Sequence, residues 1–339
     1  MDKIPFFKTT IGKEEKEAIS QVIDSGWLVM GKKTQEFEEK FAEYVGAKHA
    51  IFVDSGTSAL FLAIQHRKQF LDWKKAVVPS LTFTSTAEVV VNSGLELEFA
   101  DVSKDTLCMD AGSLNTVPVH LTGNKAEQGA LIYDSAHRIE KDDVKGSPAI
   151  WCYSFYATKN LSTVQGGMIA TNDDETAKWL RAARDHGISK GTLERYTQKT
   201  PTYSIDFVGY RVKGDDLRAA IGLEQLKKLP LMTQRRNEIV ARYNNNLGLA
   251  RTGNHLYPIL VSNREKFFEH MELASIQCSV HFLPLHKMPA YTKYAEGHLP
   301  NTEYLGERLV SIPLFPDMTD EQVDYVSEQV LKTGLLINE

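Results

Sequence analysis

The stretch AIFVDSGTSAL, residues 50–60, carries the pattern that decides the fold. An apolar run, Ala50–Val53, predicts a short buried strand, and the small residues after it predict a turn that opens a helix. The first backbone N–H groups of a helix have no intrahelical partner and lie at the positive end of its dipole. The turn Asp54–Ser58 is therefore a candidate anion site, with the Thr57 and Ser58 hydroxyls as further donors. A plain capped helix start is the alternative.

Strand, turn and helix then recur along the chain. Short apolar runs alternate with amphipathic stretches as far as a long helix predicted over Asp215–Leu247. This alternation predicts an α/β fold with a mostly parallel central sheet and helices on both faces. Turn-rich segments follow, and then a strand, a helix, a second strand at Ser279–Leu283 and a last helix. We therefore predict a large domain over residues 1–245 and a small α+β C-terminal domain over residues 246–339.

Composition excludes several classes of protein. The 339 residues are 42% hydrophobic and 24% charged, which is typical of a globular protein and argues against disorder. The net charge of -5 argues against a nucleic-acid partner bound through bulk charge. Three cysteines without a Cys-x-x-Cys pair predict neither a disulfide framework nor a zinc site. The N-terminal residues lack the apolar core of a signal peptide, and no apolar run could span a bilayer. We expect a cytoplasmic protein without a membrane partner.

Two further motifs carry candidate chemistry. Asp134 follows the predicted strand Ala130–Tyr133, at the sheet edge where open α/β sheets bind their ligands, and it could pair with a ring nitrogen. A carboxylate that only caps the next turn is the alternative. Lys159 lies in a short connection between two predicted strands, where burial could lower its pKa and make it an amine nucleophile. A solvated loop lysine is the alternative.

In combination the three motifs point to one cofactor. An anion turn, an acid at a strand end and a lysine, in this order on one α/β domain, meet the needs of pyridoxal 5′-phosphate (PLP). The turn would anchor the phosphate, the lysine would form the Schiff base, and the acid would keep the pyridine nitrogen protonated.

With these motifs in place, the sequence resembles the PLP-dependent nucleotide-sugar aminotransferases of the DegT/StrS type, a branch of the aspartate-aminotransferase fold (fold type I). Similar motifs run nearly end to end, and they are Ile4-Pro5-Phe6, Gly26-Trp27-Leu28, Ser55–Leu60, Pro79–Phe83, Ala100–Val102, Pro118–Gly123, Asp134–His137, Ser154–Leu161, Ala219–Leu226, Pro284–His286 and Ile312–Pro316.

The resemblance implies roles for single residues. Lys159 would be the Schiff-base lysine and the proton shuttle, and Asp134 would pair with the pyridine nitrogen. His137 stands where the family has Gln or His near the phenolic oxygen of the cofactor, and Phe83 stands where an aromatic side chain stacks on the ring. The phosphate would be held by Gly56, Thr57, Ser58 and Ser154.

The resemblance also implies partners and substrates. The family forms homodimers in which a loop of one subunit, here Gly209–Lys213 with Arg211, completes the site of the other. An amino-acid donor, by family habit glutamate, would aminate a nucleotide-linked keto sugar, with a preference for C4 of a 4-keto or 4-keto-6-deoxy sugar. Trp27 is expected to shape the sugar pocket. His281 and His286, with Arg138, are candidates for the nucleotide or pyrophosphate, although either histidine could be a surface or core residue. Their positions do not predict a metal site.

Three features depart from the family pattern. Arg211 replaces the usual Asn or Lys, Val164-Gln165 replaces Gly-Glu, and residues 124–129 are too few to hold the usual crossover helix. Two alternatives therefore stay open: another PLP reaction on the same scaffold, and a non-catalytic regulatory or sugar-binding protein that keeps the fold. The branch of the family that replaces the lysine with histidine and dehydrates its substrate is disfavoured by Lys159.

Overall fold

The computed structural model describes residues 3–109, 113–188 and 202–338, and it contains helices and strands in alternation. The helices are α1 Lys13–Ser25, α2 Lys32–Val45, α3 Gly56–Phe70, α4 Thr84–Asn92, α5 Asp174–Ala183, α6 Asp216–Leu247, α7 Arg264–Leu273, α8 Pro300–Arg308 and α9 Asp320–Lys332. The strands are β1 His49–Val53, β2 Lys75–Pro79, β3 Glu96–Ala100, β4 Ile132–Asp134, β5 Ile150–Ser154, β6 Gly167–Thr171, β7 Tyr257–Val261, β8 Leu309–Ile312 and β9 Leu336–Ile337.

The large sheet is mostly parallel, as predicted. β2 pairs with β3 and β4 with β5 in parallel, and parallel bridges at Val77–Thr116 and Val119–Asp134 place residues 116–119 between β2 and β4. β6 lies between β5 and β1 and is antiparallel to both. The spatial order is therefore β3, β2, residues 116–119, β4, β5, β6 and β1, with only β6 reversed. The carboxyl ends of β1, β4 and β5 consequently meet at one edge, beside the start of β6.

Helices cover both faces of this sheet because its strands are apolar on both sides. In β1, Ile51 and Val53 face a core shared with α3, α4 and α5, while Ala50 and Phe52 face a second core shared with α2 and α6. The second core contains a cluster of aromatic rings, in which Phe37 lies 5.2 Å from Phe52 and Phe41 lies 5.0 Å from Tyr153. Each such buried side chain contributes about 1.5–3 kcal/mol to stability, so the sheet is fixed from both sides.

The C-terminal part has its own antiparallel sheet, in the order β8, β7, β9, packed against α7, α9 and the last turns of α6. The predicted strand Ser279–Leu283 is wrong, since only Ser279 forms an isolated bridge, to Ser311. Ser279 pairs at the outer edge of β8, but the chain then turns toward the cavity, where His281 and Phe282 line the wall, so the pairing does not extend. The division at residues 245/246 stays a prediction; Ile239 and Tyr243 of α6 already pack in the C-terminal core.

The shortened connection before β4 is confirmed. Among the described residues between β3 and β4 the structure has no α-helix, only a 3₁₀ turn at Leu121–Gly123. Instead of a helix, the buried ring of His120 covers this part of the sheet, stacked on Tyr133 at 5.1 Å and tilted against Trp151 at 4.8 Å. The packed rings of His120, Tyr133 and Trp151 therefore take the place of the crossover helix on this part of the sheet.

No helix within the described ranges is both long and apolar enough to cross a membrane.

Asp216, at the start of α6, holds the start of α2. Glycine occupies the N-cap position of α2 and offers no side-chain cap. The buried Asp216 carboxylate accepts hydrogen bonds from the backbone N–H of Gly31 at 2.8 Å, of Lys33 at 3.1 Å and of Thr34 at 2.9 Å. The Thr34 hydroxyl adds a fourth at 2.7 Å.

We expect Asp216→Ala to lower the free energy of unfolding by about 2–4 kcal/mol, because buried donors lose a charged acceptor. Urea unfolding measures the change. Glu43→Ala is the control, since the ion pair of Glu43 with Lys40 is exposed and should cost less than about 1 kcal/mol. Equal losses in the two variants would contradict this account of α2.

Candidate active site

A cavity of about 590 Å³ opens at the edge where β1, β4 and β5 end. The predicted site residues that line it are Gly56, Thr57, Phe83, Asp134, His137, Ser154, Lys159 and His281. The sheet topology explains this, because the carboxyl ends of parallel strands share one edge. The structure therefore brings together residues that lie more than 200 positions apart, while their roles stay predictions.

The Asp134 carboxylate lies at the end of β4 and is buried. Its Oδ2 accepts a hydrogen bond from the Thr86 hydroxyl at 2.8 Å, and its Oδ1 accepts one from the Ala136 N–H at 3.0 Å. Removal from water raises the pKa of Asp134, while the two hydrogen bonds and the charge of Lys159 act in the opposite direction. Among the described residues no cation lies within salt-bridge distance of Asp134. A positive partner placed in the cavity would stabilise its charge.

The Lys159 amine lies in the same cavity, on the loop between β5 and β6. Burial lowers its pKa from 10.5 to about 8, and the negative charge of Asp134 opposes part of this shift. A lysine with this pKa has a substantial neutral fraction near physiological pH. It can therefore act as a nucleophile and as a base.

The predicted anion turn forms the start of α3. The Ser55 hydroxyl caps the helix by accepting from the Ser58 N–H at 3.1 Å, and the N–H groups of Gly56 and Thr57 lie in the first turn, at the cavity wall. Glycine is required at 56, because an added Cβ would lie 2.7 Å from the Ser154 Cβ. The close approach of Gly56 and Ser154 leaves a small cradle lined with donors, which suits a phosphate.

Three histidines surround the inner part of the cavity: His137, His255 and His281. The rings of His137 and His255 lie 4.3 Å apart. Burial lowers the pKa of both well below the usual value, with the nearby Lys159 charge adding to the effect. Burial and Lys159 likewise lower the pKa of His281 to about 4. All three side chains are neutral at physiological pH.

Aromatic side chains form the outer wall. Phe83, Phe282, Phe6 and Phe7 all line the cavity. Phe83 is 57% exposed and its ring lies 5.9 Å from Phe282, so one face of Phe83 remains open for another ring. Phe6 stacks on His281 with a centroid distance of 5.2 Å.

Four predicted site residues do not line the cavity of this chain. The Ser58 hydroxyl donates to the Asp54 carboxylate at 2.6 Å, and the Trp27 indole packs against Gly31. The Arg211 side chain is exposed, and the Arg211 backbone forms an isolated β-bridge with that of Asp185. His286 is held by the Ser80 hydroxyl at 2.7 Å.

Arg138, a candidate for the pyrophosphate, is also engaged elsewhere. Its Nε donates to the Asp143 carboxylate at 2.6 Å, and its Nη1 donates to the Gly123 carbonyl at 2.8 Å. Arg138 therefore links the turn at Gly123, before β4, to Asp143 and does not face the cavity.

Sequence reasoning missed His255, which lines the cavity, Thr86, which donates to Asp134, and the role of Asn160 as the partner of His255. His255 follows Gly253-Asn254, a turn that predicted only a domain boundary. Thr86 lies in the first turns of α4, where a threonine gives no sequence signal of a contact with a distant carboxylate. Only the three-dimensional contact identifies them.

The residues present fit PLP. The cradle at Gly56 and Ser154 offers hydrogen-bond donors for a phosphate, and the open face of Phe83 offers a stacking surface. Asp134 offers a buried carboxylate that has no described cation within salt-bridge distance. Lys159 offers a neutral amine in the same cavity. No group of described residues could hold a metal ion. The fold and this site define a PLP-dependent aminotransferase of fold type I.

Comparison with known proteins identifies the family. The chain belongs to the DegT/DnrJ/EryC1/StrS aminotransferase family, whose model matches residues 9–331. It is 36% identical to the spore coat polysaccharide biosynthesis protein SpsC of Bacillus subtilis, over 96% of each chain. Two solved structures share the fold at 24% identity. One is Helicobacter pylori PseC, an aminotransferase involved in the biosynthesis of pseudoaminic acid, with a TM-score of 0.88 over 98% of this chain and 99% of PseC. The other is the PLP form of the putative sugar aminotransferase Spr1654 of Streptococcus pneumoniae, with a TM-score of 0.85 over 98% of each chain.

The lowered pKa of Lys159 predicts how the enzyme takes up its cofactor. The rate at which added PLP gains its protein-bound visible absorbance should rise with pH and level off above about 8, since only the neutral amine reacts. Asp134→Asn should move the midpoint to lower pH, because the charge that favours the ammonium form is removed. A stopped-flow pH series measures both. A wild-type midpoint near the ordinary lysine value of 10.5 would contradict the buried setting of Lys159.

Proposed function

We propose that this enzyme transfers an amino group from an amino acid, glutamate, to a nucleotide-linked keto sugar, at C4 of a 4-keto or 4-keto-6-deoxy sugar. The observation that carries the proposal is the single cavity that joins Lys159, Asp134 and the start of α3. The family supplies the aminotransferase chemistry. A sugar acceptor is supported by the similarity to SpsC, a spore coat polysaccharide biosynthesis protein, and to PseC, an aminotransferase involved in the biosynthesis of pseudoaminic acid.

The inner half of the cavity would hold the cofactor. The N–H groups of Gly56 and Thr57, with the Thr57 and Ser154 hydroxyls, would bind the phosphate, and Phe83 would cover one face of the ring. Asp134 would pair with the ring nitrogen. When bound, the cofactor supplies an electron sink for the substrate carbon that loses its proton.

Lys159 and Asp134 divide the proton chemistry. The Lys159 amine, with a pKa near 8, would remove a proton from the carbon on one side of the transferred nitrogen and return it to the carbon on the other side, because both of its protonation states are accessible near neutral pH. Asp134 keeps a fixed negative charge opposite the ring nitrogen. Its two oxygens are held by Thr86 and Ala136, so the charge needs no reorientation during the reaction.

The outer half of the cavity would take the acceptor sugar. The N-terminal segment is fixed to the C-terminal part by Ile4, whose N–H donates to the Ser275 carbonyl at 2.9 Å and whose carbonyl accepts from the Gln277 N–H at 3.0 Å. This attachment holds Phe6 over His281, and the two rings form an apolar, uncharged wall. Such walls bind the C–H face of a sugar, while a few polar groups orient its hydroxyls. His281 is the polar group that we propose for this role.

We further propose that the enzyme works as a homodimer. Arg211 is exposed and lies outside the cavity of its own chain, which suits a residue that reaches the site of a second copy. Its neighbour Lys213 is paired within its own chain, at 2.8 Å from Asp185. Arg211 is therefore the cation of this loop that would reach the partner's cofactor phosphate.

Removing the two central groups should separate their roles. Lys159→Ala should abolish both half-reactions, because no amine remains to move the proton. Asp134→Asn should retain part of the PLP binding but slow the donor half-reaction by about 100-fold or more. Absorbance changes on mixing the PLP-loaded enzyme with glutamate measure the rates. An unchanged donor rate in Asp134→Asn would remove this residue from the mechanism, and turnover in Lys159→Ala would remove the lysine.

The outer wall should affect only the acceptor half-reaction. Phe6→Ala should raise the KM for the nucleotide-linked keto sugar about tenfold, the effect of losing a well-packed aromatic contact of about 1–1.5 kcal/mol. The donor half-reaction with glutamate should stay at the wild-type rate. Leu273→Ala is the control, since this side chain is 88% exposed on α7. A parallel loss in both half-reactions would place Phe6 in the structure rather than in the sugar site.

A further inference from the structure

A chain of three hydrogen bonds joins the two parts of the protein beside Lys159. The buried side chains of Asn160 and His255 meet at 2.8 Å, between Oδ1 and Nδ1. The His255 N–H donates to the Thr122 carbonyl at 2.8 Å, and the Thr122 N–H donates to His137 Nδ1 at 3.4 Å. The rings of His137 and His255 are in contact. We call these four residues the His137 network.

Two glycines permit this close packing. Gly123 has a φ of 103°, and an added Cβ there would lie 2.8 Å from the Asn254 nitrogen. A Cβ on Gly253 would lie 2.5 Å from the Thr122 carbonyl oxygen. Thr122 itself adopts a φ of 60°, a left-handed conformation that a non-glycine residue takes at a cost. The backbone is therefore built to bring Thr122 against both histidines.

The network fixes which nitrogen of His137 carries a proton. A backbone N–H can only donate, so Nδ1 of His137 must accept from Thr122. In a neutral imidazole the proton then resides on Nε2, which becomes a donor. The His255 ring lies against His137, and Asn160 holds His255 through its Nδ1, so Asn160 fixes the ring that supports His137.

The charges around the two histidines favour this neutral state. Lys159 faces His137, while Lys159 and Arg236 act on His255. These cations oppose a positive charge on either ring, and His281, which is close to both, is itself neutral. Asp134 is the carboxylate that lines the cavity, and its two oxygens accept hydrogen bonds from the Thr86 hydroxyl and the Ala136 N–H.

We propose that Asn160 and His255 are positioning residues that hold His137 as an uncharged Nε2–H donor toward the cofactor's phenolic oxygen. The inference rests on the proposed function, in which PLP occupies the inner half of the cavity. Neither residue needs to touch the substrate. Their effect reaches the reaction through the orientation of one ring and the position of one proton.

The test uses the PLP-loaded enzyme and the pH at which its visible absorbance band changes. Asn160→Leu and His255→Phe each break the hydrogen bond between the two parts of the chain. We expect both to raise the midpoint by about half a pH unit or more. The cofactor's phenolic oxygen would lose the hydrogen bond donated by His137, and it would then hold the neighbouring proton more tightly. The double variant should shift it no further than the larger single change, since both act through one ring.

Two further variants separate positioning from mere stability. Thr252→Val is the matched control: its hydroxyl donates to Asn124 Oδ1 at 2.8 Å, so it joins the same two parts of the chain outside the cavity, and its midpoint should stay at the wild-type value. In a His137→Gln background, Asn160→Leu should no longer move the midpoint, because a glutamine amide donates without a choice of tautomer.

Unmoved midpoints in Asn160→Leu and His255→Phe, with only a lower melting temperature, would overturn the inference and leave the proposed function intact. A wild-type protein that gains no visible band with PLP would overturn both. Where Asn160→Leu does not fold, Asn160→Ser replaces it, since serine is polar but too short to reach His255.

Discussion

Asp134 and Lys159 are opposite charges held away from water in one cavity, and the rest of the site depends on this arrangement. Burial makes each charged form costly, which raises the pKa of the acid and lowers that of the amine. Each charge also stabilises the other across the cavity. The result is an amine that can exchange a proton near neutral pH and an acid that requires a positive partner.

The sheet supplies the geometry for this pair. Asp134 ends β4, and the parallel neighbour β5 ends at Ser154, so both residues reach the same edge. The chain turns there through the Lys159 loop and returns as β6, which places Gly166 beside the cavity. Apolar packing on both faces holds the three strands in register, so the site residues are positioned by regular structure as well as by loops.

The sequence predicted best what depends on neighbouring residues. The bounds predicted for the long helix, Asp215–Leu247, agree with those of α6 to within one residue, because apolar periodicity and end signals are local. The prediction of a strand at Ser279–Leu283 failed because His281 and Phe282 turn away to line the cavity, a long-range contact that the local apolar pattern does not contain. Lys159, Asp134 and Gly56 could be found from motifs. His255 could not be found in this way, because its role depends on contacts with Asn160 and Thr122, which lie at least 95 positions away in the sequence. The position of Trp27 outside the cavity could not be predicted either, since it depends on packing against Gly31.

The reversal at β6 has a consequence for how the molecule assembles. Because β5 and β6 are adjacent antiparallel strands, the segment that carries Lys159 closes a short loop between partners close in sequence. Such a loop loses little chain entropy on closure and forms rapidly. The Asn160–His255 contact joins residues 95 positions apart and requires the C-terminal part to dock. Lys159 can thus be positioned by a local hairpin that forms early. The polar contact of its neighbour Asn160 with His255 forms only after the C-terminal part has docked.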